Sequence, residues 1–333
     1  MLSSPDLWNC LTCLTCTERC PSDVRYPEFV KACRRVASKE QMEELCAHKG
    51  VTTALSRILT NPSLKQERMD WLPEGAGTSP KGELLYFVGC LPYFDVIFED
   101  FNLKLLNIAR SVVGILNKAG IRPVVLDDER CCGHDLLWTG DVENFERLAK
   151  MNVAEIRKAG AKRVVTACPE CYRTLKKDYA ETVSNLDFEV VHISELLSEL
   201  IDDGKIEYDI DLQRKVVYQD PCRLGRHMNV YEPPRKVIAE IPGIELVEMG
   251  RNRENAVCCG VNAWLSCNKY SKAVQLDRLA EAKATGADLL VTACPKCQIH
   301  WKCVMSEKLP VRPEDVTIEM RDLTVLAAEA MHS

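Results

Sequence analysis

The sequence predicts an α/β protein with a cysteine-dense helical head followed by two duplicated α/β domains. Three observations carry that reading. Eighteen cysteines are spread through 333 residues. Short apolar runs alternate with helical stretches from about residue 84 onward. The same string of motifs is then written twice, with a period of roughly 126 to 132 residues, far longer than a solenoid unit.

The head comes first. From Met1 to about Gly50 the chain is rich in cysteine, and after Pro27 the residues Phe29, Val30, Cys33 and Val36 recur at helical spacing. The segment WLPEGAGTSPKGE, Trp71 to Glu83, concentrates Gly, Pro, Ser and charge and reads as a linker. The expected division is therefore a head over 1–70, a linker over 71–83, a first repeat over 84–210 and a second over 211–333.

In the first repeat LLYFVG, RPVVLD, RVVTA and EVVH read as strands, with helices near Leu105 to Asn117 and after Asp141. In the second, KVVYQ, IELVEM and DLLVTA repeat the pattern. YFVGC ending at Cys90 answers YQDPC ending at Cys222, ERCCGHDLLW answers AVCCGVNAWL, and VVTACPEC answers LLVTACPKC. In both halves cysteines fall just after an apolar run. Ligands of open α/β sheets collect beyond the carboxyl ends of strands, so cysteines from distant segments can converge there.

Composition narrows the chemistry. A net charge of −6 with no long basic block gives no reason to expect a nucleic-acid partner. No apolar run approaches the roughly 20 residues of a membrane span, and the first residues lack the pattern of a secretory signal, so a cytoplasmic protein is expected. In a reducing compartment disulfides do not explain eighteen cysteines; metal ligation does.

Setting aside the unmatched Cys267 and Cys303, expected to be small buried hydrophobes, leaves one pattern twice: Cys90, Cys131, Cys132, Cys168 and Cys171, then Cys222, Cys258, Cys259, Cys294 and Cys297. Five thiolates per half are one more than a cubane cluster or a tetrahedral zinc needs. Zinc could take four, but the repeated fifth would then have no role, and a thioredoxin-like use of CPEC or CPKC leaves the Cys-Cys-Gly pairs unexplained. The glycine after each pair permits positive φ or close backbone approach. The proline in CPEC and CPKC suits a first helical turn, whose partial positive charge favours thiolates. Arg130, Arg223, Arg226 and Lys296 could offset further charge, while His134, His227 and His300 near the motifs read as structural histidines.

The head carries Cys10-x-x-Cys13-x-x-Cys16-x-x-x-Cys20-Pro21, the run typical of bacterial ferredoxin clusters. Structural zinc is the alternative there. In two-cluster ferredoxins the fourth cysteine serves the other cluster, yet no second run exists here, so Cys33, Cys46 or a neighbouring subunit would complete the site.

Taken together, these residues resemble the CCG-domain proteins: the catalytic subunits of heterodisulfide reductase and relatives such as the iron–sulfur subunit of anaerobic glycerol-3-phosphate dehydrogenase. DPCRLGRHMNVYEPPRKVI and ENAVCCG look especially like the D-type reductase subunit. The resemblance covers nearly the whole chain. It implies a [4Fe-4S] cluster on Cys10, Cys13, Cys16 and Cys20, and a noncubane [4Fe-4S] cluster on each five-cysteine set. It further implies reductive cleavage of a disulfide such as that of coenzyme M and coenzyme B between the two sets. Flavoprotein or ferredoxin-like redox subunits would be the partners, and the relatives that merely relay electrons to or from quinone give the alternative. Some relatives lose cysteines from one motif; this chain keeps all ten. It departs from the reductase pattern in having one ferredoxin run where that pattern has two.

Overall fold

The computed structural model describes residues 2, 4–42, 47–260, 263–265, 267–307 and 316–332. The expected runs of β-branched residues form two sheets, each wholly parallel. The first contains β1 (Leu84–Tyr86), β2 (Arg163–Thr166) and β3 (Glu189–His192) in the order β1-β2-β3, with Leu85 beside Val164 and Val164 beside Val190. The second contains β4 (Arg214–Gln219), β5 (Ile244–Val247), β6 (Leu289–Thr292) and β7 (Glu319–Asp322) in the order β5-β4-β6-β7. Helices cover both, which is why the central strands are apolar on successive residues instead of alternating.

One expected strand is reduced. RPVVLD meets β1 only through an isolated bridge between Leu85 and Val124, with Tyr86 N donating to Val124 O at 2.8 Å and Val124 N to Leu84 O at 2.9 Å. It occupies the place that β5 takes beside β4. Pro123 has no N–H to extend the ladder, and the chain then turns away at Asp127, whose carboxylate accepts from Arg68 N at 2.8 Å.

The halves dock reciprocally. Helix Ile193–Asp202 of the first packs on Glu232–Ala239 of the second, and Leu323–Glu329 of the second packs on Leu106–Lys118 of the first. Each pair joins the helix after one half's β3 or β7 to the helix following the other half's β1 or β4, as an internal two-fold arrangement requires. Buried residues from both halves form one continuous apolar cluster, while Val217, Leu290, Trp301 and their neighbours form a second, smaller one.

The expected head helix runs from Tyr26 to Lys39, but its buried face is Pro27, Val30, Arg34 and Ala37. Phe29 and Val36, read as part of the apolar stripe, stay 49% and 48% exposed. Hydrogen bonding rather than apolar spacing selects the face. Fully buried Arg34 donates to the carbonyls of Leu7 (2.8 Å), Trp8 (3.1 Å), Cys10 (2.8 Å) and Trp138 (3.2 Å), satisfying groups that would otherwise be orphaned. No helix among the described residues is long and apolar enough to cross a membrane.

Candidate metal centres

The first five-cysteine set gathers beyond β1 and β2. Cys90 caps the helix Leu91–Ile97, Cys131 and Cys132 precede the helix His134–Thr139, and Cys168 caps the helix Pro169–Arg173 that carries Cys171. Their thiols form a chain of hydrogen-bonding contacts, Cys90 to Cys131 to Cys132 to Cys171 to Cys168, around one cavity. Gly133 takes φ +81°, and a Cβ there would lie 2.8 Å from the Phe145 ring, so both conformation and space demand glycine.

Buried polar side chains fix the main chain that presents these thiols. Glu129 accepts from Val88 N (2.9 Å) and Gly89 N (2.7 Å), tying the Cys90 turn to the Cys131 segment. Asn152 accepts from Arg130 N and donates to Cys131 O, each at 3.0 Å, while Tyr179 donates its hydroxyl to Cys132 O at 3.0 Å. Sequence reasoning missed all three, because single polar residues, in a loop for Glu129 and in helices for Asn152 and Tyr179, carry no motif.

The second set repeats the arrangement. Cys222 follows β4, Cys258 and Cys259 precede Gly260 at φ +90°, and Cys294 caps the helix Pro295–Ser306 that carries Cys297. Cys258 contacts both Cys222 and Cys259, and Cys297 contacts both Cys259 and Cys294. Its main chain is held differently: Gln219 donates to Val257 O at 3.0 Å, and Asp220 is paired with Arg235 at 2.7 and 2.8 Å.

A sixth thiol joins this second set. Cys13 of the head lies against Cys258, and the contact, helped by Thr15 Oγ1 at 3.3 Å and by Arg226, holds Cys13 well below the ordinary thiol range. The loop that carries it is pinned to the second half: Arg223 donates to Thr12 O and Thr12 Oγ1, each at 2.8 Å, and Arg226 donates to Cys13 O at 2.6 Å. Cys13, one of the four head thiols, thus meets the second set. Cys10 packs near Arg34 and is raised by burial; Cys16 is exposed, Cys20 and Cys33 are half-buried, and Cys46 lies outside the described residues.

Electrostatics favour cations at both sets. In the first set, contact with Cys131 and burial push Cys90 well up, contact with Cys131 pushes Cys132 well up, and Cys131, receiving hydrogen bonds from both, is held well down. A buried crowd of thiols cannot ionise together without positive charge among them. Soft, multiply charged metal is the counterpart that such a donor set fits, and five sulfurs per set suit a polynuclear iron–sulfur centre better than a single tetrahedral ion.

Between the sets lies a buried ion-pair network. Lys296, from CPKC, reaches across to Asp135 at 2.6 and 2.7 Å and to Glu170, from CPEC, at 2.5 Å. Glu170 and Lys296 are equivalent positions of the two repeats, so opposite charges meet where an exact copy would set like against like. The pair brings the CPEC and CPKC turns together, and Lys296 and Pro295 line the first set's cavity. His134 donates from Nδ1 toward Asp135 at 2.9 Å and accepts from Arg223 Nε at 3.0 Å; burial lowers it to about 3, so it is neutral. His227 and His300 are lowered by burial too, the latter to about 4. His134, Asp135 and Glu170 converge as metal ligands would, but the Lys296 ammonium already sits among them.

The four cations expected to offset thiolate charge do different things. Arg226 stands close to Cys13, Cys222 and Cys258, and Arg223 shares only the Cys222 contact. Arg130 is spent on the carbonyls of Leu59, Asn61 and Leu64, and Arg223 on the head loop and His134. Cys267 and Cys303 are not the buried hydrophobes expected: Cys267 is exposed, and half-buried Cys303 accepts from Lys272 Nζ at 3.2 Å. Their polar neighbour, distant in sequence from Cys303, decides their environment.

Comparison with known proteins agrees with the duplicated geometry. The family model described as a cysteine-rich domain, CCG, matches residues 84–176 and 216–302. The chain is 34% identical to a component chain of the dihydromethanophenazine:CoB–CoM heterodisulfide reductase of Methanosarcina acetivorans, over 98% of this chain and 78% of that one. It is 31% identical to a component chain of the fumarate reductase (CoM/CoB) of Methanothermobacter marburgensis, over 89% of this chain and 57% of that one. With the EtfAB:quinone oxidoreductase of Syntrophomonas wolfei it shares 27% identity, over 89% of this chain and 43% of the relative.

Proposed function

Because this chain belongs to the CCG cysteine-rich domain family, we propose that it is the disulfide-cleaving subunit of an iron–sulfur oxidoreductase complex. An iron–sulfur electron-transfer role is common ground for such relatives. The finer reading rests on one observation: two complete five-thiol sets are brought together by the Lys296–Glu170 pair. In this reading Cys90, Cys131, Cys132, Cys168 and Cys171 hold one noncubane [4Fe-4S] cluster, and Cys222, Cys258, Cys259, Cys294 and Cys297 hold the other. Cys10, Cys13, Cys16 and Cys20 serve a head [4Fe-4S] cluster. Bound there, the clusters supply the electrons for reduction and iron to receive two sulfur products.

The chain's own residues do the rest. The Cys13–Cys258 contact joins the head run, where electrons would enter, to the second set. Glu129, Asn152, Tyr179 and Gln219 hold the thiol-bearing main chain in place. Burial of the thiols other than half-buried Cys90 and Cys222 keeps water from the reacting sulfur. The substrate class is a small disulfide such as that of coenzymes M and B, the donor is a flavoprotein or ferredoxin-like subunit, and the work is done in the cytoplasm. The domain division is a head over 1–70, a linker over 71–83 and repeats over 84–210 and 211–333.

Cys132→Ser and Cys259→Ser, each made singly and together, test this. Each set must capture one product, so either change removes nearly all disulfide reduction from an artificial donor, and the double change is little worse. Near-full activity in a variant whose altered centre is shown by paramagnetic resonance to be absent overturns the two-set mechanism. The surviving reading would then be an electron relay, to which the likeness to a quinone oxidoreductase gives support.

A further inference from the structure

Cys267 and Cys303 have no counterpart in the first repeat, and the duplicated pattern leaves them without a role. In the fold they come to one place. Lys272 Nζ lies 3.2 Å from Cys303 Sγ and also contacts the Cys267 thiol, so a single ammonium spans both sulfurs. Lys272 is itself largely buried and anchored by Glu307 at 3.1 Å. Both thiols line one small cavity with His48, Trp264, Gln275 and His300, and Cys267 is exposed, which opens the cavity to small solutes. Cys303 belongs to the same helix as Cys297, and Cys267 follows the Cys258-Cys259-Gly260 segment by a few residues. Each sulfur is therefore carried by a segment that also carries thiols of the second set.

We propose that Cys267 and Cys303 form a reversible redox pair, closed to an intramolecular disulfide by hydrogen peroxide. The exposed Cys267 sulfur attacks one peroxide oxygen, forming an S–O bond, breaking the O–O bond and releasing one water. The Cys303 sulfur, held beside the Lys272 ammonium, then displaces the sulfenic oxygen as a second water and forms the S–S bond. Two thiols lose two electrons and two protons in all, and one peroxide becomes two waters. The Lys272 ammonium, 3.2 Å from Cys303 Sγ, acts on the second step, where it holds that sulfur in place for the displacement. The closed disulfide ties the segment after Cys259 to the helix of Cys297, linking the redox state of the surroundings to the second set. This function is separate from electron transfer through the clusters.

The test uses the full chain, purified without oxygen, exposed to equimolar hydrogen peroxide, alkylated and mapped by mass spectrometry. The expected result is a Cys267–Cys303 cross-linked peptide two hydrogens lighter than its parts, released by dithiothreitol. It should be absent from Cys267→Ser and from Cys303→Ser. Lys272→Met should slow closure about tenfold while a sulfenic acid on Cys267, trapped by dimedone, accumulates. Iron content measured alongside shows that each variant is folded and loaded. Finding both sulfurs freely alkylated after peroxide overturns the proposal. So does a stoichiometric zinc ion lost from both serine variants, which would make the cavity a metal site using His48 and His300.

Discussion

Removing the Lys296 ammonium is the sharpest perturbation the structure offers. Lys296 is 5% exposed and has oxygens of Asp135 at 2.6 and 2.7 Å and of Glu170 at 2.5 Å. Lys296→Met keeps most of the volume and leaves two buried carboxyl groups facing each other without the ammonium that paired with both. Breaking a buried pair from one side costs about 3–5 kcal/mol, because the abandoned charge keeps its desolvation penalty. For a chain of this size that is a fall in melting temperature of roughly 4–7 °C. The triple variant Lys296→Met, Asp135→Asn, Glu170→Gln leaves no orphaned charge and should regain most of the loss, since neutral replacements of whole buried networks are often tolerated. Thermal unfolding of anaerobic samples matched in iron content measures both. A single variant melting within about 1 °C of the parent, or a triple variant worse than the single, would refute the reasoning that this network joins the two halves.

Two further outcomes follow from named contacts. Cys13→Ser removes the sulfur against Cys258, so it should alter the paramagnetic signal of the second set as well as the head signal and leave the first set unchanged; an unaltered second-set signal would show that the contact carries no electronic consequence. Asp322 is buried and pushed up to about 7 by burial, against which the hydrogen bonds from Thr324 work. A carboxyl raised in the folded state contributes stability below its unfolded pKa and loses it as pH rises through about 7. The parent should therefore lose more stability between pH 5 and pH 8 than Asp322→Asn, by about 3 kcal/mol at most; equal slopes would mean that Asp322 is ionised throughout.

Much of the scaffold was legible because local chemistry and global fold agree in it. The paired Cys-Cys-Gly motifs asked for positive φ, and Gly133 and Gly260 adopt it. The prolines of CPEC and CPKC asked for first helical turns, and Cys168 and Cys294 are the residues before them. Runs such as VVT and LLVT asked for buried parallel strands and form them. What escaped depends on pairings between distant segments. Apolar spacing placed Phe29 and Val36 on the inner face of the head helix, but the carbonyls awaiting Arg34 turned that helix. RPVVLD looked like a strand, yet Pro123 and the Asp127 turn leave it only isolated bridges at Val124. Nothing in the run Cys10 to Cys20 says that Cys13 meets Cys258, 245 residues away. Lys296 and Glu170 were each visible between cysteines, but only the docking of one half on the other makes them partners.

The central claim is that two five-thiol sets and the head run each hold an iron–sulfur cluster. Iron, zinc and acid-labile sulfide measured per chain in anaerobic protein, beside Cys132→Ser and Cys259→Ser, test it most directly. The account predicts about twelve irons in the parent with matching sulfide. Each variant should lose about four of them while the other set's paramagnetic signal persists. Stoichiometric zinc with little iron, or iron unchanged by either substitution, would contradict it.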